Sequence, residues 1–369
     1  MKIIAADQVV TRSTVLRNAW VGVDAGRIVE VSTKTPPHTP DHTYRATLLP
    51  GFVDIHCHGG GGYSFDKPAE AAQAAQFHLA HGTTSMIASL VSAPVAAAAG
   101  NLSALQPLVA AGLLRGVHLE GPFLSAERCG AQNPAALTNP TDDAVDWLLR
   151  AAPGVLAMIT IAPELPGAIA AIERFTEAGV TVALGHSDAD ADTSRRGIEA
   201  GARVVTHLFN AMRPLHHRDG GLSGLALVED RLSVEVIADG VHVGDISLQL
   251  AAKAKPGRLI AVTDAIAATG LPDGGAVLGG LAVDVKDGVA RLAGTQTLAG
   301  STLTMDRAFH HLVQAVGLNA VEAAHATATR PAEVLGLTDV GEIAVGKRAD
   351  LVALNSHVEA VWQAGTLVG

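Results

Sequence analysis

The chain has 369 residues, enough for one large domain and an accessory module. With 48 % hydrophobic and 17 % charged residues it can bury a large core, which excludes an extended disordered protein. A formal charge of −10 and 3 % aromatic residues exclude generic nucleic-acid binding and a base-stacking platform.

The N-terminal runs IIAADQVV, AWVGVDAGRIVEV and YRATLLP are short β-type segments separated by turns. No long apolar stretch with a small-residue cleavage site opens the chain, so no signal peptide is expected. Only two cysteines are present, Cys57 and Cys129, which excludes a disulfide framework and points to a reducing, cytoplasmic setting.

From residue 48 a unit repeats: a short apolar run, then a helical stretch. The runs are 48–56, 83–90, 114–120, 155–164, 180–186, 202–209, 232–239 and 258–265. Continuous rather than alternating apolarity suits strands buried on both faces. Eight such units predict an α/β chain with a (β/α)8 TIM-type barrel, a doubly wound open sheet being the alternative. The uncharged stretch from Gly82 to Leu114 is broken by Pro94 and Pro107 and reads as strand plus helix, so no membrane span is expected. Turn signals at Asp273-Gly274 and Asp287-Gly288 predict hairpin structure between 271 and 298. The C-terminal runs GEIAVGKRADLVALN and HVEAVWQAGTLVG return to the β texture of the start. Residues 1–47 and 346–369 are therefore expected to form a small discontinuous β-sandwich domain, and 48–345 the barrel.

Polar residues fall at the ends of the apolar runs: His56 and His58, Glu120, His186, His207, Asp239 with His242, and Asp264. In a parallel barrel these ends meet at one rim, where active sites of this fold lie. A histidine or carboxylate there is costly to bury alone, and a shared metal ion is the obvious partner. The H-x-H spacing of GFVDIHCHGGGG (51–62) puts His56 and His58 on one side of an extended segment and Cys57 on the other.

The motifs HLEGPF (118–123), GHSDA (185–189), THLFNAM (206–212), ADGVHV (238–243), VTDA (262–265) and LAGSTLTM (298–305) resemble those of N-acetylglucosamine-6-phosphate deacetylases of the amidohydrolase superfamily. The resemblance runs in order across residues 51–352. It implies hydrolysis of an amino-sugar acetamide, with Glu120, His186 and His207 as principal metal ligands. His56 and His58 complete a second metal position in members that carry the pair, and Asp264 is the catalytic aspartate, also within reach of the metal. One or two divalent ions per subunit are implied, zinc first, with iron or another divalent ion as alternatives. Ala131, Gln132, Asn210, Ala211, Asp239, Gly240, Val241, His242, Leu298, Ala299 and Gly300 match substrate-contacting positions. Arg218 matches an arginine that reaches a sugar phosphate from the neighbouring subunit, which implies a homodimer. Gln132 stands where many relatives carry histidine, and glutamine donates a hydrogen bond but cannot carry a proton. The alternatives are a deacetylase of a related substrate such as N-acetylgalactosamine 6-phosphate, or a non-catalytic binding protein of the same fold.

Overall fold

The computed structural model describes residues 1–368. Both chain ends build one seven-stranded sheet. Its strands run in the order Thr366–Leu367, Val358–Gln363, Leu351–Leu354, His42–Pro50, Lys2–Val10, Val15–Asp24 and Arg27–Ser32. All neighbours are antiparallel except Lys2–Val10 and His42–Pro50, which are parallel with Ile4 opposite His42. Strand alternation sends Ala19, Val21 and Val23 to one face, where they share a core with Ile4, Leu48, Leu351 and Trp362. The edge strand Arg27–Ser32 meets the segment that leads into Leu351–Leu354: Ile28 N–H donates to Lys347 O at 2.9 Å and Gly346 N–H to Ile28 O at 2.8 Å. The small domain built from both chain ends is formed by this sheet around one core. Its other face, through Val10, Leu49 and Val352, packs on the core of the barrel.

The barrel begins one residue after that sheet's fourth strand. Gly51 makes the passage, where a Cβ would lie 2.1 Å from Thr84 Oγ1. The parallel strands follow in chain order: Phe52–Asp54, Thr83–Met86 continued as Ala88–Leu90, Val117–Glu120, Leu156–Ile161, Thr181–Leu184, Val204–Val205, Ser233–Ile237 and Leu259–Val262. The ring closes just beyond the strand ends, where Asp264 N–H donates to His56 O and His58 N–H to Ala265 O, each at 2.8 Å. Each strand is followed by a helix on the outside, from Ala71–Ala80 after the first to Met305–His311 after the eighth. Several start as the sequence signals: Thr141 accepts from Ala144 N–H and Asp190 from Thr193 N–H at the N-caps of Asp142–Ala151 and Ala191–Glu199. A three-stranded antiparallel sheet, Gly274–Leu278, Leu281–Lys286 and Val289–Leu292, lies between the eighth strand and its helix, as the turn signals predict. The uncharged stretch resolves into the second strand and the helix Val95–Ala110, and no helix among the described residues is long and apolar enough to cross a membrane.

Barrel interiors are usually filled by layers of Val, Ile and Leu. Here part of the interior below the rim is polar. Thr263 Oγ1–H donates to Asp54 at 2.6 Å; His118 bonds Ser89 Oγ at 3.0 Å and Thr160 Oγ1 at 2.9 Å; Thr160 bonds Thr206 at 2.8 Å. All of these side chains are buried. Burial pushes the Asp54 carboxyl up to about 6, against the hydrogen bond from Thr263.

Candidate active site

The strand-end side chains converge. Glu120 closes the third strand, and its Oε1 lies 3.0 Å from Nε2 of both His186 and His207 and 3.4 Å from Nε2 of His56. Its Oε2 lies 3.2 Å from His58 Nε2. Asp264 Oδ1 lies 3.2 Å from His58 Nε2 and 3.5 Å from His56 Nε2. Two trios can each hold a metal ion, His56–His58–Glu120 and Glu120–His186–His207, and Glu120 belongs to both. His186, His207 and Asp264 have φ of +47°, +27° and +49°, a left-handed conformation that non-glycine residues seldom adopt. Such strain persists where packing over-determines it, and here it aims three strand ends at one point.

The rings are held from behind. His58 Nδ1–H donates to Ser89 O at 3.1 Å, His186 Nδ1–H to Arg128 O at 2.9 Å, and His56 Nδ1–H to the Glu235 carboxylate at 3.0 Å. Such partners fix the tautomer and leave each Nε2 a bare lone pair turned inward. Those nitrogens face carboxylate oxygens, and His186 Nε2 also lies 3.1 Å from His207 Nε2. Lone pairs at these distances repel unless a proton or a cation lies among them. His56 Nε2 is buried without a hydrogen-bond partner. The donor set of imidazoles and carboxylates fits a divalent cation such as Zn²⁺ or Fe²⁺.

The electrostatics agree. Burial by itself would lower the His58 pKa, but hydrogen bonds to Asp264 and Glu120 overturn this and hold it at about 9. Burial likewise opposes protonation of His56, yet Glu120, Asp264 and Glu235 raise it well above the ordinary histidine value. Burial would raise Glu120, but the charge on His56 and hydrogen bonds from His186 and His207 hold it well below the usual carboxylate range.

The site opens into a cavity of about 340 Å³. Of the substrate-contact positions, Ala131, Gln132, Asn210, Ala211, His242, Leu298 and Gly300 line it, with His58, Glu120, His186, His207 and Asp264 at its floor. His56 lies behind this floor, fully buried. Asp239 is not in the wall: its Oδ2 accepts from His242 Nδ1–H at 2.7 Å, and its Oδ1 accepts from the backbone N–H of Val241 and His242 at 2.8 Å. Burial disfavours charge on His242, but the Asp239 carboxylate raises its pKa. Gly240 and Val241 form that turn, Val241 being exposed, and Ala299 is buried in the core of the small three-stranded sheet. Arg218 stands outside this chain's cavity, exposed, its Nη1 2.9 Å from His217 Nε2. Among the described residues no lysine or arginine lines the cavity.

Gln132 is fixed at both ends of its amide. Oε1 accepts from Ser92 N–H at 2.7 Å, so the NH₂ group must face Glu120, to which it donates at 2.6 Å. Cys57 faces away as strand alternation requires, its Sγ 3.2 Å from His78 Nε2 on the first barrel helix. Sequence reasoning missed Gly130, Ile237, Leu278, Gln296 and Thr297 in the cavity wall, and Glu235 behind His56. For Glu235 a signal existed: a single carboxylate in the middle of the apolar run SVEVI.

The chain belongs to the amidohydrolase family, whose model matches residues 47–369. It is 40 % identical over 342 residues to the N-acetylglucosamine-6-phosphate deacetylase of Bos taurus, covering 87 % of this chain and 83 % of the relative. It is 35 % identical over 329 residues to the N-acetylgalactosamine-6-phosphate deacetylase of Escherichia coli O157:H7, covering 87 % of each. Among solved structures, a point variant of the N-acetyl-D-glucosamine-6-phosphate deacetylase of Mycobacterium smegmatis in complex with N-acetyl-D-glucosamine-6-phosphate superposes with a TM-score of 0.97. It is 43 % identical, and the match covers 99 % of this chain and 98 % of that one.

Proposed function

We propose that this chain is a metal-dependent deacetylase that hydrolyses the acetamide of N-acetyl-D-glucosamine 6-phosphate to D-glucosamine 6-phosphate and acetate. The observation that carries this is the convergence of Asp264 and two ligand trios sharing Glu120 at the floor of one cavity. A divalent ion held by these histidines and Glu120 would lower the pKa of water toward ~7 and polarise the acetyl carbonyl. Asp264, reaching from strand eight, takes the proton from the attacking water and delivers it to the departing amine, without which that amine leaves badly. His242, oriented by Asp239, and Asn210 are placed to contact the sugar. Gln132, which borders the cavity, steadies Glu120 through its NH₂ group.

Both trios are complete, which supports up to two ions, zinc first and iron or another divalent ion next. Among the described residues the cavity wall offers no lysine or arginine for a phosphate, which supports a homodimer in which Arg218 enters the neighbouring subunit's site. The chain divides in this reading into a structural unit, 1–47 with 346–369, and a catalytic barrel, 48–345. The two cysteines are free, which supports a cytoplasmic setting. A second reading, deacetylation of N-acetylgalactosamine 6-phosphate, is favoured by the E. coli relative.

Acetate release from N-acetylglucosamine, its 6-phosphate and the galactose epimer, before and after chelation, tests the metal, the need for phosphate and the choice of sugar together. The 6-phosphate glucose compound should be the best substrate, and activity should vanish with the metal and return with Zn²⁺. Full activity after stripping would sink the metal assignment, and a preference for the epimer would transfer the reading to galactosamine.

A further inference from the structure

Glu235 sits in the middle of the seventh barrel strand, Ser233–Ile237, with no solvent exposure. Strand alternation turns Val234 and Val236 outward to the helices and Glu235 with Ile237 inward, Ile237 lining the cavity and Glu235 one layer below. A carboxylate in such a place is costly unless partnered, and an apolar side chain would serve the fold better. Its Oε2 accepts from His56 Nδ1–H at 3.0 Å and from His207 N–H at 3.2 Å, while Oε1 has no partner. His56 and His207 belong to different trios. His58 and His186 lean on backbone carbonyls, whereas His56 leans on this side chain alone.

We propose that Glu235 is a positioning residue for the metal centre. It locks His56 in the tautomer protonated on Nδ1, so that Nε2 presents its lone pair to the ion in the His56–His58–Glu120 trio. Its second bond, from the backbone N–H of His207, ties the seventh strand to the end of the sixth without touching a ligand nitrogen. A carboxylate behind an imidazole raises the basicity of the ligand nitrogen, and loss of such a partner costs roughly 10–100-fold in metal affinity. The proposal rests on the two-ion reading above.

The test is titration of Co²⁺ into the stripped full-length protein, followed by its visible absorption, for wild type, Glu235→Gln and Glu235→Leu. Wild type should take up two equivalents. The variants should weaken the equivalent in the His56 trio by roughly 10–100-fold, the leucine more than the glutamine, whose amide oxygen can still accept from Nδ1–H. In a His58→Asn background, which removes that trio, Glu235→Gln should leave the remaining affinity within about threefold, since the other trio keeps all its ligands. Unchanged binding with a lowered Tm would make Glu235 purely structural and overturn the proposal. So would a tenfold loss in the His58→Asn background. If the leucine variant does not fold, the glutamine variant decides. A wild type that binds a single equivalent overturns the role at His56 yet leaves the deacetylase reading standing, because Glu120, His186 and His207 still form one trio. Failure of wild type to release acetate would sink that reading instead.

Discussion

Replacing Gln132 by methionine keeps the length of the side chain and removes both hydrogen bonds of its amide. The bond donated to Glu120 at 2.6 Å is charge-assisted, and such bonds contribute about 1.5–3 kcal/mol. Ser92 N–H would lose its acceptor at a buried position, a further ~1–3 kcal/mol. Gln132 borders the cavity, so water recovers part of this and the net cost should be roughly 2–4 kcal/mol. For a chain of 369 residues the entropy of unfolding is roughly 0.8 kcal/mol per kelvin, so Tm should fall by roughly 3–5 °C. Differential scanning calorimetry of the metal-free protein measures it. Glu120 would also lose the donor that steadies Oε2, so turnover should drop along with stability. A Tm within 1 °C of wild type, by the same ~0.8 kcal/mol per kelvin, would refute the claim that both ends of the amide are engaged.

Asp264→Asn should bind the sugar phosphate nearly as well as wild type while turnover falls by roughly 10²–10⁴, read by steady-state kinetics and calorimetric binding. Near-normal turnover would remove Asp264 from proton transfer. Arg218→Ala should raise KM for the phosphorylated sugar far more than for the bare sugar, and equal effects would take it out of phosphate binding. Burial pushes His78 down to about 4, below the ~6.5 of an unfolded histidine, so the unfolded chain binds the extra proton between these values. Its contribution is therefore full above pH ~6.5 and lost as pH falls toward ~4, by up to about 3 kcal/mol. His78→Gln, which can still donate to Gly59 O, should flatten that part of the profile in urea unfolding, and a parallel profile would show that His78 titrates normally.

Much of the site was legible because strand-end placement is a local property. An apolar run closed by histidine or carboxylate marks the rim of a barrel whichever strand it belongs to. His56, His58, Glu120, His186, His207 and Asp264 could therefore be named before any distance was known, and the two-residue period of an extended segment already turned Cys57 away from them. The sheet from both chain ends was legible in texture, but the meeting of its edge strand with the C-terminal segment, Ile28 with Lys347, was not.

By itself the amino-acid order determined the repeat of eight units, the ligand types and the resemblance carried by HLEGPF and THLFNAM. Only the tertiary structure decided that Gln132 is locked between Ser92 and Glu120 and that Glu235 stands behind His56. These are relations between residues as much as 179 positions apart, as for His56 and Glu235. Hydrophobic periodicity reports the solvent side of each element one turn at a time. It carries no record of which interior side chain faces which across a closed barrel, and closure is what brings those groups within hydrogen-bond reach.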